Sequence, residues 1–309
     1  MESKEIFKYI GQKLDFKFSQ VKNLMELLDN DNTVPFIARY RKEKTGQLDE
    51  TQIRKIQKAV EKKRNLEEKR EDVIEKIDGQ DKLTEELKAK IMVAETVQEL
   101  DDIYRPYRPK RKTRAKKARN KGLEPLANLI LLQKTTSGTP EDFAKKFIDE
   151  EKEVETAEEA LQGARDIVAE TVSDDADLRK EIREYSFKNG FINSEAKKSH
   201  PQGKYEVYED YSEPINNIPS HRVLAINRGE NEDYLRVKVD VDEEHIIDHI
   251  EKKYITTRES IFTEHFAEAI KDGYKRLIAP SIEREIRNHL TEKAENQAIK
   301  VFSENLKNL

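Results

Sequence analysis

The chain has 309 residues, of which 39% are charged and 35% hydrophobic, and its formal net charge is −5. It has no cysteine, which excludes disulfides and thiolate metal sites, and its longest apolar run is too short to cross a bilayer. The start lacks the apolar core of a signal peptide, so a cytoplasmic protein is expected. Apolar residues recur at helical spacing, which predicts long, thin helices with narrow buried stripes.

Helix signals appear early in the chain. Asp49 and Gln52 have the spacing of a capping box and precede a long helix that ends near Gly79. Thr84 opens a second helix, which the apolar spacing extends through Ile103. The two segments predict an antiparallel helical pair.

The middle of the chain carries further helix starts. Thr139 with Pro140 begins one, and the segment Glu141 to Ala160 holds nine acids against three lysines. Thr156 and Ser173 then open two helices joined by a tight polar turn. This pattern is typical of a helix-turn-helix unit and equally of any helical hairpin.

The composition changes near residue 193, where NSEAKKSHPQGK predicts a boundary or a long loop. We therefore expect a helical domain over 1–192 and a central helical region over 193–309. YLRVKVDV at Tyr234 to Val241 alternates like a strand, and KYEVYEDY at Lys204 to Tyr211 is the only partner suggested by the pattern.

The remaining signals are helical. A helix is expected from about Ser220 to Gly229, and another from Ser281 to the last residue without a cap signal, which predicts that the polypeptide is part of a longer protein. The predicted fold is mainly α, an elongated multi-helix scaffold with a helix-turn-helix-like unit and at most a small β hairpin.

The most unusual segment is YRPYRPKRKTRAKKARNK at Tyr104 to Lys121, the basic strip, with ten Lys or Arg in 18 residues and no acid. The rest of the chain therefore carries −15. Such a strip repels itself unless a polyanion or an acidic protein surface, such as Glu141 to Ala160, lies against it. We expect its helical end to meet phosphates and its YRPYRP end to pack. The candidate phosphate-binding residues are Arg105, Arg108, Lys110, Arg111, Lys112, Arg114, Lys116, Lys117 and Arg119.

Three other segments have both a functional and a structural interpretation. In VPFIARYRKE, Phe36, Ile37 and Tyr40 are expected on a buried side, which favours packing over phosphate binding. HIIDH at His245 to His249 is similar to an inverted zincin motif but lacks an evident third ligand, so ordinary surface histidines are favoured. Tyrosines at 205, 208 and 211 lie among acids, which favours packing over base stacking.

Four segments together resemble the Tex family of bacterial transcription accessory proteins. They are VPFIARYRKEKTGQLDE at Val34 to Glu50, YRPYRPKRKTRA at Tyr104 to Ala115, KGLEPLA at Lys121 to Ala127 and YSEPINNIPSHRVLAINRGE at Tyr211 to Glu230. The resemblance implies a helical N-terminal module with a helix-turn-helix-like unit and a central helical part. In the family, a YqgF-like RNase H fold, helix-hairpin-helix motifs and an OB-fold RNA-binding domain follow, and the chain is expected to end before them.

These observations give three hypotheses. The favoured one is a non-enzymatic scaffold, without cofactor or metal, that binds RNA or DNA non-specifically through the basic strip. The alternative is a protein-interaction scaffold in a transcription complex with no nucleic-acid contact. The third is a metal-dependent hydrolase that uses HIIDH. The sequence shows no phosphate-cradling glycine motif and no G-x-S-x-G, which favours the first two.

Overall fold

The computed structural model of the chain describes residues 3–109, 112–197, 203 and 205–307. It divides into two compact units, unit 1 ending at Tyr107 and unit 2 beginning at Arg108. The boundary expected after residue 192 lies within unit 2, where a strand runs across it. Among the described helices, none combines the length and apolarity that a bilayer span requires.

Unit 1 is entirely helical in its described part. A short 3₁₀ turn, Arg105–Tyr107, follows its last helix. The predicted capping box at the start of α5 is confirmed, since Gln52 N donates to Asp49 Oδ1 over 2.8 Å and Gln52 Oε1 accepts from Asp49 N. The helices are α1 (Ser3–Leu14), α2 (Phe18–Asp29), α3 (Val34–Tyr40), α4 (Lys42–Thr45), α5 (Glu50–Asp78), α6 (Glu85–Val93) and α7 (Val97–Tyr104).

Two separate hydrophobic cores stabilise unit 1, and α5 contributes to both. The first core joins α1, α2 and α3 to the N-terminal half of α5 around Ile53 and Ile56. The second joins α6 and α7 to the C-terminal half around Val73 and Ile77. Between them, the segment 61–65 of α5 is polar and contributes no buried hydrophobic residue to either core.

The helix expected from Thr84 to Ile103 is interrupted, and this prediction was wrong. Ala94 leaves the helical conformation with a ψ of 129°, and Thr96 caps the new helix α7 by accepting from Glu99 N over 3.1 Å. The buried Arg70 side chain donates to the carbonyls of Ile91 and Ala94, over 3.1 and 2.7 Å. These bonds satisfy carbonyls that lose helical partners at the break, so the interruption costs little hydrogen bonding.

Unit 2 combines helices with a small antiparallel sheet. Its elements are α8 (Arg114–Asn120), α9 (Glu124–Leu132), α10 (Pro140–Ala144), α11 (Ala157–Ser173), α12 (Ala176–Asn189), β1 (Phe191–Ala196), β2 (Asp210–Pro214), α13 (Ser220–Asn231), β3 (Leu235–Asp240), α14 (Glu243–Tyr254), α15 (Thr263–Gly273) and α16 (Ala279–Lys307). A π-helical turn, Tyr274–Ile278, joins α15 to α16. The mainly helical fold is confirmed.

The sheet has three strands in the order β2-β1-β3, where the sequence predicted at most a hairpin. The predicted strand β3 is confirmed, but its partner is β1, which lies in the polar segment expected to be a loop. Ile192 and Ser194 of β1 face inward and are 2% and 3% exposed, and Ser194 Oγ donates to Tyr208 O over 2.7 Å. The buried serine is thus satisfied by hydrogen bonding.

Helix α13 also differs from the prediction, because it passes through Gly229 and ends at Asn231. Gly229 is needed there for packing: a Cβ at this position would lie 2.6 Å from Leu235 Cδ1 of β3. The glycine therefore permits close contact between helix and strand and does not terminate the helix.

A buried charge network joins α12 to α16. Arg179 is fully buried, and its Nη2 donates to Ser281 Oγ over 2.9 Å and to Glu285 Oε1 over 3.1 Å. Arg183 Nε donates to the other oxygen of Glu285 over 2.7 Å. One carboxylate therefore neutralises two guanidinium groups, one of them without access to water.

We expect Glu285→Gln to destabilise unit 2 by about 3 kcal/mol, because it removes the carboxylate charge that binds the buried Arg179 and the neighbouring Arg183. Hydrogen exchange of α12 peptides across a urea titration measures the effect on this unit. Glu195→Gln is the matched control, since Glu195 lies 3.7 Å from Arg236 in an exposed ion pair. That change should cost less than about 1 kcal/mol. Equal losses in the two variants would contradict a structural role for the network.

Candidate nucleic-acid interface

The basic strip crosses the division between the units, so its two ends have different surroundings. Its first residues complete unit 1: Tyr104 is 6% exposed in the second core, and Gln80 Nε2 donates to Tyr107 O over 2.9 Å. Arg105 is half-buried in the 3₁₀ turn. The YRPYRP end therefore packs against its neighbours, as the sequence predicted.

The rest of the strip belongs to unit 2. Arg108 and Lys112 are exposed, while Lys110 and Arg111 lie outside the described residues. Lys112 has a φ of 60°, and Thr113 then caps α8 by accepting from Lys116 N over 3.0 Å. The left-handed residue and the threonine cap together set where the basic helix begins.

Helix α8 is fixed by close packing on α11. Ala115 and Ala118 are 2% and 4% exposed and lie on the inner side of α8. Across from them is Gly163 of α11, where a Cβ would lie 3.3 Å from Ala118 Cβ and only 2.3 Å from Leu123 Cδ1. Because the face of α8 that carries the alanines is buried, the cationic side chains at 114, 116 and 117 are directed to solvent.

The C-terminal end of the strip is bound within the unit. Arg119 Nη1 donates to Glu170 Oε2 over 2.7 Å, and the Glu170 side chain is 8% exposed. Lys121 Nζ donates to Glu153 O over 2.7 Å. The last lysine of the basic strip therefore contacts the acidic segment that was expected to bind the strip. Arg119 is thus engaged in an ion pair that stabilises the fold.

Lys112, Lys116 and Lys117 are exposed, and none forms an ion pair within the part of the chain that the structure describes. Together with the exposed Arg114 they form the cationic surface of unit 2. The charges of the three lysines are not paired within the described residues, which favours a locally positive potential on an otherwise acidic chain.

A polar cavity of about 480 Å³ lies beside this surface and is lined by Arg114, Arg165, Asp166, Glu268 and Asp272, among others. Asp166 is 9% exposed, and burial raises its pKa above the ordinary value, although Arg276 and Arg114 act in the opposite direction. Arg276 Nη2 lies 3.4 Å from Asp166 Oδ1.

The two helices of the predicted helix-turn-helix-like unit are present as α11 and α12. The outward face of α12 carries three acids and two lysines: Asp177, Lys180, Glu181, Glu184 and Lys188. A helix that enters a DNA groove meets phosphates on both sides, which disfavours such an acidic face. The two helices therefore form a helical hairpin, and the charges on α12 do not favour insertion into a DNA groove.

The HIIDH histidines take part in protein contacts. His245 stacks on Tyr185 with ring centroids 4.8 Å apart, and His249 Nε2 lies 2.9 Å from Glu181 Oε2. Asp248 is exposed. No cluster of three or more metal-ligating side chains exists within residues 3–109, 112–197, 203 and 205–307.

The tyrosines near β2 pack as expected. Tyr205 is 8% exposed and meets Tyr234 at a centroid distance of 5.4 Å. Tyr208 and Tyr211 contact each other edge to face at 5.2 Å. Rings engaged in this way contribute to the core around the sheet.

Comparison with known proteins gives matches over most of the chain. Residues 4–78 match the family described as Tex-like protein N-terminal domain, and residues 135–302 match the one described as Tex central region-like. YdcI, an uncharacterized protein of Bacillus subtilis (strain 168), is 47% identical over 100% of this chain and 43% of its own length. Transcriptional accessory protein Tex of Neisseria gonorrhoeae is 36% identical over 98% of this chain and 41% of its own.

A human relative, S1 RNA-binding domain-containing protein 1, is 31% identical over 93% of this chain and 30% of its own length. The chain thus spans about two fifths of the length of the bacterial relatives and less of the human one. The match to the N-terminal domain precedes the match to the central region along the chain, and the central match alone covers more than half of the sequence. From these matches it follows that the chain belongs to the Tex family.

Proposed function

We propose that this chain is a nucleic-acid-binding scaffold of a transcription accessory protein, and that it contacts RNA or DNA without sequence preference. The contact surface is the cationic surface of unit 2, formed by Lys112, Arg114, Lys116 and Lys117. The observation that supports this is the one-sided burial of α8, which leaves these cations exposed while Arg119 is engaged inside the fold.

The physics of such a contact is counter-ion release. Each phosphate neutralised by a cation frees a condensed counter-ion, so the logarithm of the binding constant falls linearly with the logarithm of the salt concentration. Four contacts to duplex nucleic acid give a slope of roughly −3.6. Contacts to phosphate carry no sequence information, so a sequence-independent contact is expected.

A second candidate function is protein docking, favoured by a groove between α13 and α16. This groove has a volume of about 820 Å³ and is lined in part by Leu224, Ala298, Val301 and Phe302. Phe302 is 65% exposed and Val301 44% exposed. An apolar groove on an acidic chain suits a partner helix, and such a role requires no nucleic-acid contact.

Charge reversal distinguishes the two candidates. We expect a variant with Glu at 112, 114, 116 and 117 to lose at least about tenfold in affinity for nucleic acid at low salt, with a flattened salt slope. Fluorescence anisotropy with labelled single-stranded RNA and duplex DNA at two salt concentrations measures both quantities.

The matched control reverses four exposed lysines elsewhere in unit 2, Lys146, Lys188, Lys252 and Lys271. It changes the net charge equally, so a purely global effect of charge would weaken binding in both variants. Circular dichroism checks that both remain folded. Unchanged affinity in the variant with Glu at 112, 114, 116 and 117 would refute the proposed surface.

Asp166→Asn tests the electrostatics beside Arg114. The folded protein holds the Asp166 proton more tightly than the unfolded chain does, because burial raises the pKa. Stability from this group is therefore lost as the pH rises from about 4 towards neutrality. The variant should gain in melting temperature relative to the wild type over that range, and bind a polyanion roughly twofold tighter.

Melting curves at pH 4 and 7, with anisotropy at pH 7, measure these two effects. Asp177→Asn on the exposed face of α12 serves as the control for removal of one acid. A lower melting temperature of Asp166→Asn at neutral pH would show that the carboxylate stabilises the fold through Arg276 instead.

A further inference from the structure

The short helix α3 presents aromatic rings to solvent, although the sequence predicted them on a buried side. Val34 and Ile37 are 8% and 0% exposed and fill the first core. Phe36 is 36% exposed and Tyr40 is 60% exposed. Two large rings four residues apart thus occupy the outer face of one helix, where burial would have been favourable.

The two rings and a guanidinium form a compact group. The centroids of Phe36 and Tyr40 are 5.4 Å apart with an interplanar angle of 45°. The Arg41 guanidinium carbon lies 5.0 Å from the Phe36 ring centroid, and its Nη1 donates to Tyr40 O over 3.0 Å. The hydrogen bond and the cation–π contact hold Arg41 against the rings, so three planar groups are available together.

The surroundings of this group are cationic. Arg39, Lys42 and Lys44 are exposed, and none of them forms an ion pair with a described residue. Glu43 is the one acid in the sequence from Arg39 to Lys44, against four cations. An anionic ligand is therefore favoured beside the rings.

Packing and hydrogen bonds hold the backbone that carries the two rings. Ile37 packs in the core that Ile53 and Ile56 of α5 also fill. At the end of α4, Gly46 O accepts from Gln20 Nε2 over 3.0 Å, and Lys44 O accepts from Asn23 Nδ2 over 2.9 Å. Little conformational entropy is lost when a ligand meets groups already held in place.

We propose that Phe36, Tyr40 and Arg41 form a stacking platform for the unpaired bases of single-stranded nucleic acid, with phosphates neutralised by Arg39, Lys42 and Lys44. Every base has a flat face, so aromatic and guanidinium planes bind single strands with little sequence preference. Bases in a duplex are already stacked on one another and are not available to the rings. The platform is part of unit 1 and does not depend on the cationic surface of unit 2.

The chain contains no tryptophan, which permits a direct optical test. Tyr40→Trp retains an aromatic plane and places a single indole on the platform. We expect its fluorescence to be quenched saturably by an oligouridylate of about twelve nucleotides, a length suited to one binding site. A duplex RNA of the same length and a poly-glutamate of matched charge should leave it unchanged.

The optical control is Met92→Trp on α6, an exposed position next to the second core of unit 1. Its emission should respond to none of the three polymers. Quenching of the residue 40 indole by poly-glutamate would identify the surface as a docking site for acidic protein and overturn the proposal. Equal quenching by duplex and single strand would also overturn it, because it would show phosphate binding without stacking.

Affinity gives the second measurement. Tyr40→Ala in the full chain should weaken binding of the single strand about 5- to 150-fold, the range found for loss of one base–aromatic stack, with the salt slope unchanged. Reversal of the cations at 112, 114, 116 and 117 should instead flatten the slope for single strand and duplex alike. The two proposals therefore fail separately. Wild-type affinity of Tyr40→Ala for the oligouridylate, with Met92→Ala as the reference, would refute the platform.

Discussion

The close approach of helices to α11 is the constraint on which unit 2 depends. Small residues permit it on two sides. Gly163 faces α8, and on another side a Cβ at Gly273 of α15 would lie 3.0 Å from both Ala169 O and Ser173 Oγ. Alanines at 160, 164 and 169 are all fully buried between these contacts. Because interiors are packed as densely as crystals, neither approach leaves room for a larger residue.

This packing explains how an acidic chain presents a positive surface. With α8 held by its alanines, Lys112, Lys116 and Lys117 form no ion pair with a described residue, whereas Arg119 at the far end binds Glu170. The same segment thus contains cations that stabilise the fold and cations that remain available. Charge density in the sequence does not distinguish them, whereas side-chain burial and ion pairing do.

Structural features that depend on residues nearby in the sequence were predictable, and features that depend on distant residues were not. Side-chain caps such as Asp49 and Thr156 set helix starts by contacts three residues away, and these starts are confirmed. The alternation of apolar and polar residues was also sufficient to predict strand β3. Strand β1 was missed because its central position depends on partners on both sides, and its polar residues resemble a loop. The break after α6 was missed because Arg70, 21 or more residues distant, replaces the helical donors.

The candidate sites show the same distinction. The exposed cations were identified from charge alone. The ion pair of Arg119 and the exposure of Tyr40 could not be predicted in this way, because they depend on which face of each helix is covered by its neighbours. In unit 1, a different consequence arises from α5, whose two halves belong to separate cores with a polar stretch between them. Segment 61–65 adds no buried hydrophobic residue to either core, although Arg64 stacks over the Phe7 ring of α1 and binds Asp29 of α2. The two halves of one continuous helix are therefore stabilised by different sets of helices, so a core substitution in one half acts first on its own end of α5.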